Sequence, residues 1–150
     1  MTALADKKQR TYATMPDIGI NEAPLKASVK VWEGALLTRT GGYLRPLTVA
    51  DGAGGYEGIA LMDADIGASD GDSIVRYARI IEEEIPYADL AGNSGSDTIT
   101  LTNATAVYAA DDSGPYTLAS ASAIKVAEII GYDAINNTFR LRHVTSRIVG

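Results

Sequence analysis

The sequence predicts an all-β chain: a small β-barrel or sandwich with a loose internal repeat and an extended N-terminal arm. Three observations predict it. A strand pattern in the middle of the chain recurs near its C-terminus. Short segments of alternating side chains are separated by turn residues at intervals of roughly eight to twelve residues. Residues 1–27, in contrast, show no periodic element and are interrupted by Pro16, Gly19, Asn21 and Pro24. The expected organisation is an arm over 1–27 and a β domain over 28–150.

The repeat has two copies. Gly34 to Arg79 carries A-L-L-T-R-T-G-G-Y-L-R-P-L, then G-I-A-L-M-D-A-D, then S-I-V-R-Y-A-R. Ala106 to His143 carries V-Y-A-A-D-D-S-G-P-Y-T-L-A, then V-A-E-I-I-G-Y-D-A, then T-F-R-L-R-H. Each copy reads as a hairpin, a second strand, a turn and an alternating third strand.

The elements follow in order. In 1–27 the apolar residues stand singly: Tyr12, Met15, Ile18, Ile20 and Leu25. Such spacing suits an extended segment that adds to another chain's sheet edge, and Tyr12, Met15, Ile18 and Ile20 are its candidate anchors. The competing reading is an ordinary disordered terminus. Ser28 to Trp32 alternates as S-V-K-V-W and predicts a strand. Ala35 to Thr38 and Tyr43 to Leu47 form a hairpin around Gly41-Gly42, which supplies the positive φ of a tight turn. Asp51 to Gly55 is a glycine-rich loop. Gly58 to Met62 is a short apolar strand, expected to be buried on both faces. Asp63 to Asp72 is an acidic loop. Ile74 to Ile81 is a strand that ends in Glu82–Glu84 before Pro86. Tyr87 to Asp97 holds one helical turn and then a loop. Thr98 to Thr102 is a strand, and Val107–Ala110 with Tyr116–Ala119 is a hairpin around D-D-S-G-P. Lys125 to Tyr132 and Thr138 to Val144 are strands joined at Asn136-Asn137. Phe139 and Leu141 point inward and Arg140 and Arg142 outward.

Bulk composition narrows the function. A chain of 150 residues with 46% hydrophobic content makes one domain that buries roughly 70% of its unfolded surface. Cysteine is absent, which excludes disulfides and a thiol nucleophile. No apolar run approaches the ~18 residues of a membrane span, and no signal-peptide pattern opens the chain. A soluble protein made in a cytoplasm is expected. The net charge of −6 is uneven: residues 51–130 hold three Lys/Arg against fourteen Asp/Glu, while residues 1–50 hold seven against four. An acidic middle repels phosphates, so no nucleic-acid partner is expected.

Motifs for chemistry are weak. The acidic loop offers Asp63, Asp65, Asp70 and Asp72 but lacks the ligand register of an EF-hand, so these are read as turn residues and no metal is expected. The lone His143 has no nucleophile beside it and reads as structural or exposed. Glu82–Glu84 alternate faces and read as a solvated edge that guards a sheet against unwanted pairing. There is no G-x-S-x-G elbow and no P-loop. Residues 52–55, G-A-G-G, lack a following helix to aim amides at a phosphate. Eight tyrosines fit core and subunit contacts better than sugar stacking. No catalytic residue and no cofactor is assigned.

With G-I-A-L-M-D-A-D and G-D-S-I-V-R-Y-A-R, then V-Y-A-A-D-D-S-G-P-Y-T-L and the ending from Lys125 to Arg142, residues 30–145 resemble the head decoration, or capsid cement, proteins of tailed bacteriophages. The resemblance implies a compact β-tulip-like fold without enzymatic activity, on the outer surface of the expanded capsid in the virion. It implies the major capsid protein as partner, trimers at threefold positions, and bridging of capsid subunits, frequently through an N-terminal arm. The long acidic middle and the Tyr87–Asp97 loop depart from that pattern. A phage spike or tail-associated β module that binds host glycans is the alternative, and a β-barrel hydrolase using carboxylates is a weaker third.

Overall fold

A computed structural model describes residues 4, 7–12, 20–48, 55–79, 81–91, 105–112 and 116–145. The described residues form two packed β-sheets. The strands are β1 (Thr11–Tyr12), β2 (Ile20–Pro24), β3 (Leu36–Thr40), β4 (Tyr43–Pro46), β5 (Gly58–Ala60), β6 (Ile74–Ala78), β7 (Glu82–Pro86), β8 (Leu90–Ala91), β9 (Thr105–Ala109), β10 (Tyr116–Thr117), β11 (Ile124–Asp133) and β12 (Thr138–His143). One sheet has five strands in the order β2-β6-β5-β3-β4, the other seven in the order β1-β7-β12-β11-β9-β10-β8. Neighbours are antiparallel apart from β8 and β10.

The sequence repeat is a repeat of topology. The five-stranded sheet takes its strands in the chain order first, fifth, fourth, second, third. The run β7-β12-β11-β9-β10 of the other sheet repeats that order once β8 is set aside, and every pairing within both runs is antiparallel. The repeating unit is longer than the motifs indicate, because β2 and β7 each open a copy.

Local chemistry explains the elements. Gly41 and Gly42 take φ of 58° and 89°, so the β3–β4 turn has two successive left-handed positions, which glycine adopts without strain. In β12, Phe139 and Leu141 are fully buried while Arg140 and Arg142 face solvent, as the alternation predicts. All three residues of β5 are buried, because the five-stranded sheet is covered on both faces. Leu36, Ile59 and Ala78 face the second sheet and share a core with Val107, Ile129, Phe139 and Leu141. Leu37, Leu44, Val75 and Tyr77 face the other way, into a smaller core closed by Leu25 and Val31. The sheet curls far enough that Leu25 bridges Leu44 and the Lys26 amide donates to the Leu44 carbonyl.

At Gly58, φ is 151°, and a Cβ there would collide with the Ala78 carbonyl and come within 2.9 Å of the Tyr77 ring. Replacing Gly58 by alanine is expected to cost about 2–4 kcal/mol by combining backbone strain with overpacking. A urea unfolding midpoint indistinguishable from wild type would contradict this.

Four expectations need correction. Residues 28–32 are not a strand: Ser28 adopts a left-handed φ of 64° and only Val31 makes a bridge, to Ala64. The strand from Ile74 stops at Ala78, and Glu82–Pro86 is a separate strand in the other sheet. That strand lies between β1 and β12, so Glu82–Glu84 are not a solvated edge. The fourth concerns the arm. Where residues 1–27 are described they pack on their own chain, with Thr11 and Tyr12 paired to Glu84 and Glu83, and Ile20–Pro24 paired to β6. A proline is accommodated at the end of β2 because β2 is an outer strand. Residues 15, 18 and 98–102 lie outside the described residues.

Candidate functional site

Strand phase places two ionisable side chains in the core. In β7 and the residue before it, Ile81, Glu83 and Ile85 share the inward phase, and in β12 so do Phe139, Leu141 and His143. The strands are neighbours, and Glu83 and His143 meet there. His143 Nε2 lies 2.9 Å from Glu83 Oε1, and its Nδ1 lies 2.7 Å from the Tyr56 hydroxyl. Tyr116, in β10, donates its hydroxyl to Glu83 Oε1 at 2.6 Å. Arg10 enters from the N-terminal segment, and its Nη1 donates to Glu83 Oε2 at 3.2 Å and to the Tyr116 oxygen at 2.9 Å. Its Nε donates to the Gly34 carbonyl at 2.6 Å, which ties the segment to the start of the five-stranded sheet.

This knot is sealed. The side chains of Arg10 and His143 are 0% exposed and that of Glu83 is 3% exposed. With a proton on Nε2, His143 donates to Glu83, and its Nδ1 shares a hydrogen bond with the Tyr56 hydroxyl. Arg10 and Glu83 then cancel as one buried ion pair. Burial opposes the Glu83 charge, but the His143 hydrogen bond, the Arg10 charge and the Tyr116 hydroxyl outweigh it and hold its carboxyl down to about 2. Burial drives the Tyr56 and Tyr116 hydroxyls well above the usual phenol range. Glu83 is bonded on both oxygens within the knot, so the arrangement neutralises charge in the interior and fastens residues 7–12 between the sheets.

The pH dependence follows from Glu83. Its folded carboxyl titrates below the ordinary 4.5, so its stabilisation is complete above that pH and is lost as pH falls through 4.5 towards 2. A shift of this size corresponds to about 3 kcal/mol. Urea unfolding followed from pH 6 to pH 2 should show wild type losing about that much more stability than Glu83→Gln. Parallel profiles for the two proteins would refute the assignment.

The other candidates are placed as follows. Tyr12 is half-buried against the main core, whereas Ile20 is 37% exposed on the outer strand of the other sheet. The fold does not bring them together, and Met15 and Ile18 lie outside the described residues. The aspartates of the acidic loop fasten it to residues 26–33. Asp63 accepts from the Glu33 amide, Asp65 pairs with Lys30, and Asp70 accepts from the Ala27 amide and pairs with Lys26. Asp72 accepts from the Ser69 amide within the loop.

Compared with known proteins, the chain matches no family model, no curated protein and no solved structure.

The two outer surfaces differ in character. On the seven-stranded sheet the solvent face is a charge ladder, with Arg140 between Glu82 and Glu84, and Glu128 between Lys125 and Arg142. The β2–β6 ribbon has apolar exposure instead. Register places Ile20 opposite Ala78, Glu22 opposite Arg76 and Pro24 opposite Ile74, all on one face. At Ala78 that face is buried in the main core. Farther along, Glu22, Pro24, Ile74 and Arg76 are exposed, with Ile74 at 54%. A cleft of about 430 Å³ lies elsewhere, bounded by residues 8–11 and 83–86 with Asp89 and Tyr116.

Proposed function

We propose that this chain is a non-enzymatic structural protein of a tailed-phage virion. It binds the outer surface of the assembled capsid and stabilises it by bridging neighbouring capsid subunits. The observation that carries the reading is the exposed apolar face of the β2–β6 ribbon, where Ile20, Pro24 and Ile74 flank Glu22 and Arg76. Exposed apolar side chains on both sides of one pair of opposite charges make a mixed patch suited to another protein's surface. The motifs that resemble capsid decoration proteins support the same reading, since the G-I-A-L-M-D-A-D segment contains β5 and S-I-V-R-Y-A-R contains β6. Self-association as a homotrimer belongs to the proposal.

The mechanism is avidity: one molecule that touches two subunits resists their separation with both contacts together. Binding only the assembled lattice stabilises it by about 2.7 kcal/mol per site at a hundredfold excess over Kd. Expanded capsids lacking the protein should therefore rupture at lower temperature, and adding the purified chain should raise that temperature. If saturating protein co-sediments with the capsids but leaves rupture unchanged, or does not co-sediment, the reading fails. Binding to glycan-bearing host cells instead would favour a spike module.

A further inference from the structure

The repeat gives β2 and β7 equivalent places, each as the strand that opens its run. Both end in E-x-P. Glu22 lies opposite Arg76 and Pro24 opposite Ile74, as Glu84 lies opposite Arg140 and Pro86 opposite Thr138. Past each proline the chain turns and pairs in parallel with the last strand of its own run, Leu25 with Leu44 of β4 and Leu90 with Tyr116 of β10. The two strands differ at their outer edges. β7 carries β1 there, whereas no strand lies beyond β2 among the described residues.

Backbone phase shows which groups the open edge presents. The Leu25 amide donates to the Ser73 carbonyl, which continues the register of β2 on β6, so the odd-numbered residues of β2 bond to β6. The N–H and C=O of Ile20 and Glu22 and the Pro24 carbonyl therefore point away from the sheet. Pro24 has no N–H to leave unpaired there. On β7 the Tyr87 amide donates to Asn137 and the His143 amide to Ile81, so its even-numbered residues point outward, and one of them, Glu84, pairs with Thr11. Glu22 presents at the open edge the same groups that Glu84 gives to Thr11. A charged side chain and a proline commonly guard a sheet edge, yet the same two residues on β7 do not keep β1 away.

We propose that the β2 edge pairs antiparallel with the β2 edge of a second copy of this chain, about a twofold axis at Asn21. The chemistry of the edge selects this occupant and this register. Centred on Asn21, Ile20 and Glu22 of each copy exchange both backbone bonds with Glu22 and Ile20 of the other, and Pro24 falls outside the pairing. Centred on Glu22, two carboxylates would meet and Pro24 would face Ile20 without an N–H to give. A second β1 segment fits less well. On β7 its Arg10 is neutralised by Glu83, and Asn21 holds the equivalent position on β2. In the proposed pair each Glu22 keeps Arg76 on one side and gains the other copy's Ile20 on the other. The two Ile20 residues become diagonal neighbours about 7–8 Å apart, which covers part of an apolar side chain that is exposed in the single chain. The contact is isologous, so it pairs copies, or trimers where the threefold contact also forms. It is small and therefore transient, and it does not depend on the capsid reading.

The test is disulfide trapping in the full chain, which has no cysteine of its own. Across the twofold the two Asn21 positions form a non-hydrogen-bonded pair with Cα atoms about 4.5 Å apart, within disulfide reach. Asn21→Cys should oxidise to a covalent dimer about tenfold faster or more than Arg142→Cys, whose thiol lies on the outer face of the other sheet, because pairing raises the local thiol concentration. Adding Glu22→Pro removes an outward N–H and no bond within the sheet, so it should abolish the cross-link at an unchanged melting temperature. Hydrogen exchange of the unsubstituted chain gives a reading that needs no variant. The Ile20 and Glu22 amides should gain protection as protein concentration rises, while the Asn21 and Ala23 amides, already bonded to β6, should not change. Cross-linking no faster than the control, cross-linking that survives Glu22→Pro, or exchange at Ile20 and Glu22 independent of concentration would each overturn the proposal. Protection of those two amides only on adding expanded capsids would overturn it in favour of a capsid segment at the edge.

Discussion

Replacing Glu83 by alanine should destabilise the protein by about 3–5 kcal/mol, because it leaves the Arg10 guanidinium buried without its counter-charge. For a chain of this size that is a fall in melting temperature of roughly 6–20 °C. The loss should also be local at first. Arg10 is the residue that fastens the N-terminal segment to Glu83, Tyr116 and Gly34, so limited proteolysis should cut near residues 7–12 before the sheets unfold. The companion variant decides between charge and packing. Arg10→Met, Glu83→Leu and His143→Phe together remove every charge from the knot while keeping its volume, and such replacements are often neutral or stabilising. The triple variant should recover most of the stability that Glu83→Ala loses. If Glu83→Ala costs less than about 1 kcal/mol, or the triple variant is the least stable of the set, burial of charge is not what governs this site.

The knot was half legible in the sequence. Alternation through T-F-R-L-R-H fixes His143 in phase with Phe139 and Leu141, and alternation through I-E-E-E-I fixes Glu83 in phase with Ile81 and Ile85. Two ionisable groups in inward phase are a readable sign of a buried pair. The sign was masked because Glu82–Glu84 looked like the charged end of the preceding strand. The chain in fact leaves the five-stranded sheet at Ala78 and enters the other at Glu82. Arg10 gave no local signal: its partners are 24, 73 and 106 residues away in sequence. The same kind of distance hid the N-terminal strands. Scattered Pro and Gly indicate a segment without local periodicity, which is true of residues 1–27, but local periodicity says nothing about which sheet edge receives them. Hairpins were legible for the opposite reason. Gly41-Gly42 and the β11–β12 turn are set by residues adjacent in sequence, and the repeated motif carried the shared strand order with it.

Substituting aspartate for Ile20 and Ile74 together should abolish binding to the capsid lattice while leaving the fold unchanged. Both residues are exposed, at 37% and 54%, on one face of the β2–β6 ribbon, so their loss spares the two cores and should cost no more than about 2 kcal/mol, the scale of two strand-propensity changes. At an interface the same residues become buried anchors. Central anchors cost 2 kcal/mol or more when lost, about thirtyfold in affinity each, and a buried aspartate adds the penalty of an unpaired charge. The combined effect should exceed a hundredfold, measured as co-sedimentation with expanded capsids across a concentration series. A charge reversal on the other outer surface, Arg142→Glu, is the control. There Arg142 is 56% exposed and, among the described residues, pairs with Glu128, a surface contact worth less than about 1 kcal/mol. Its capsid affinity should stay within about threefold of wild type. The opposite pattern, with Arg142→Glu failing to bind and the isoleucine variant binding normally, would move the contact to the seven-stranded sheet and make complementary charge its basis.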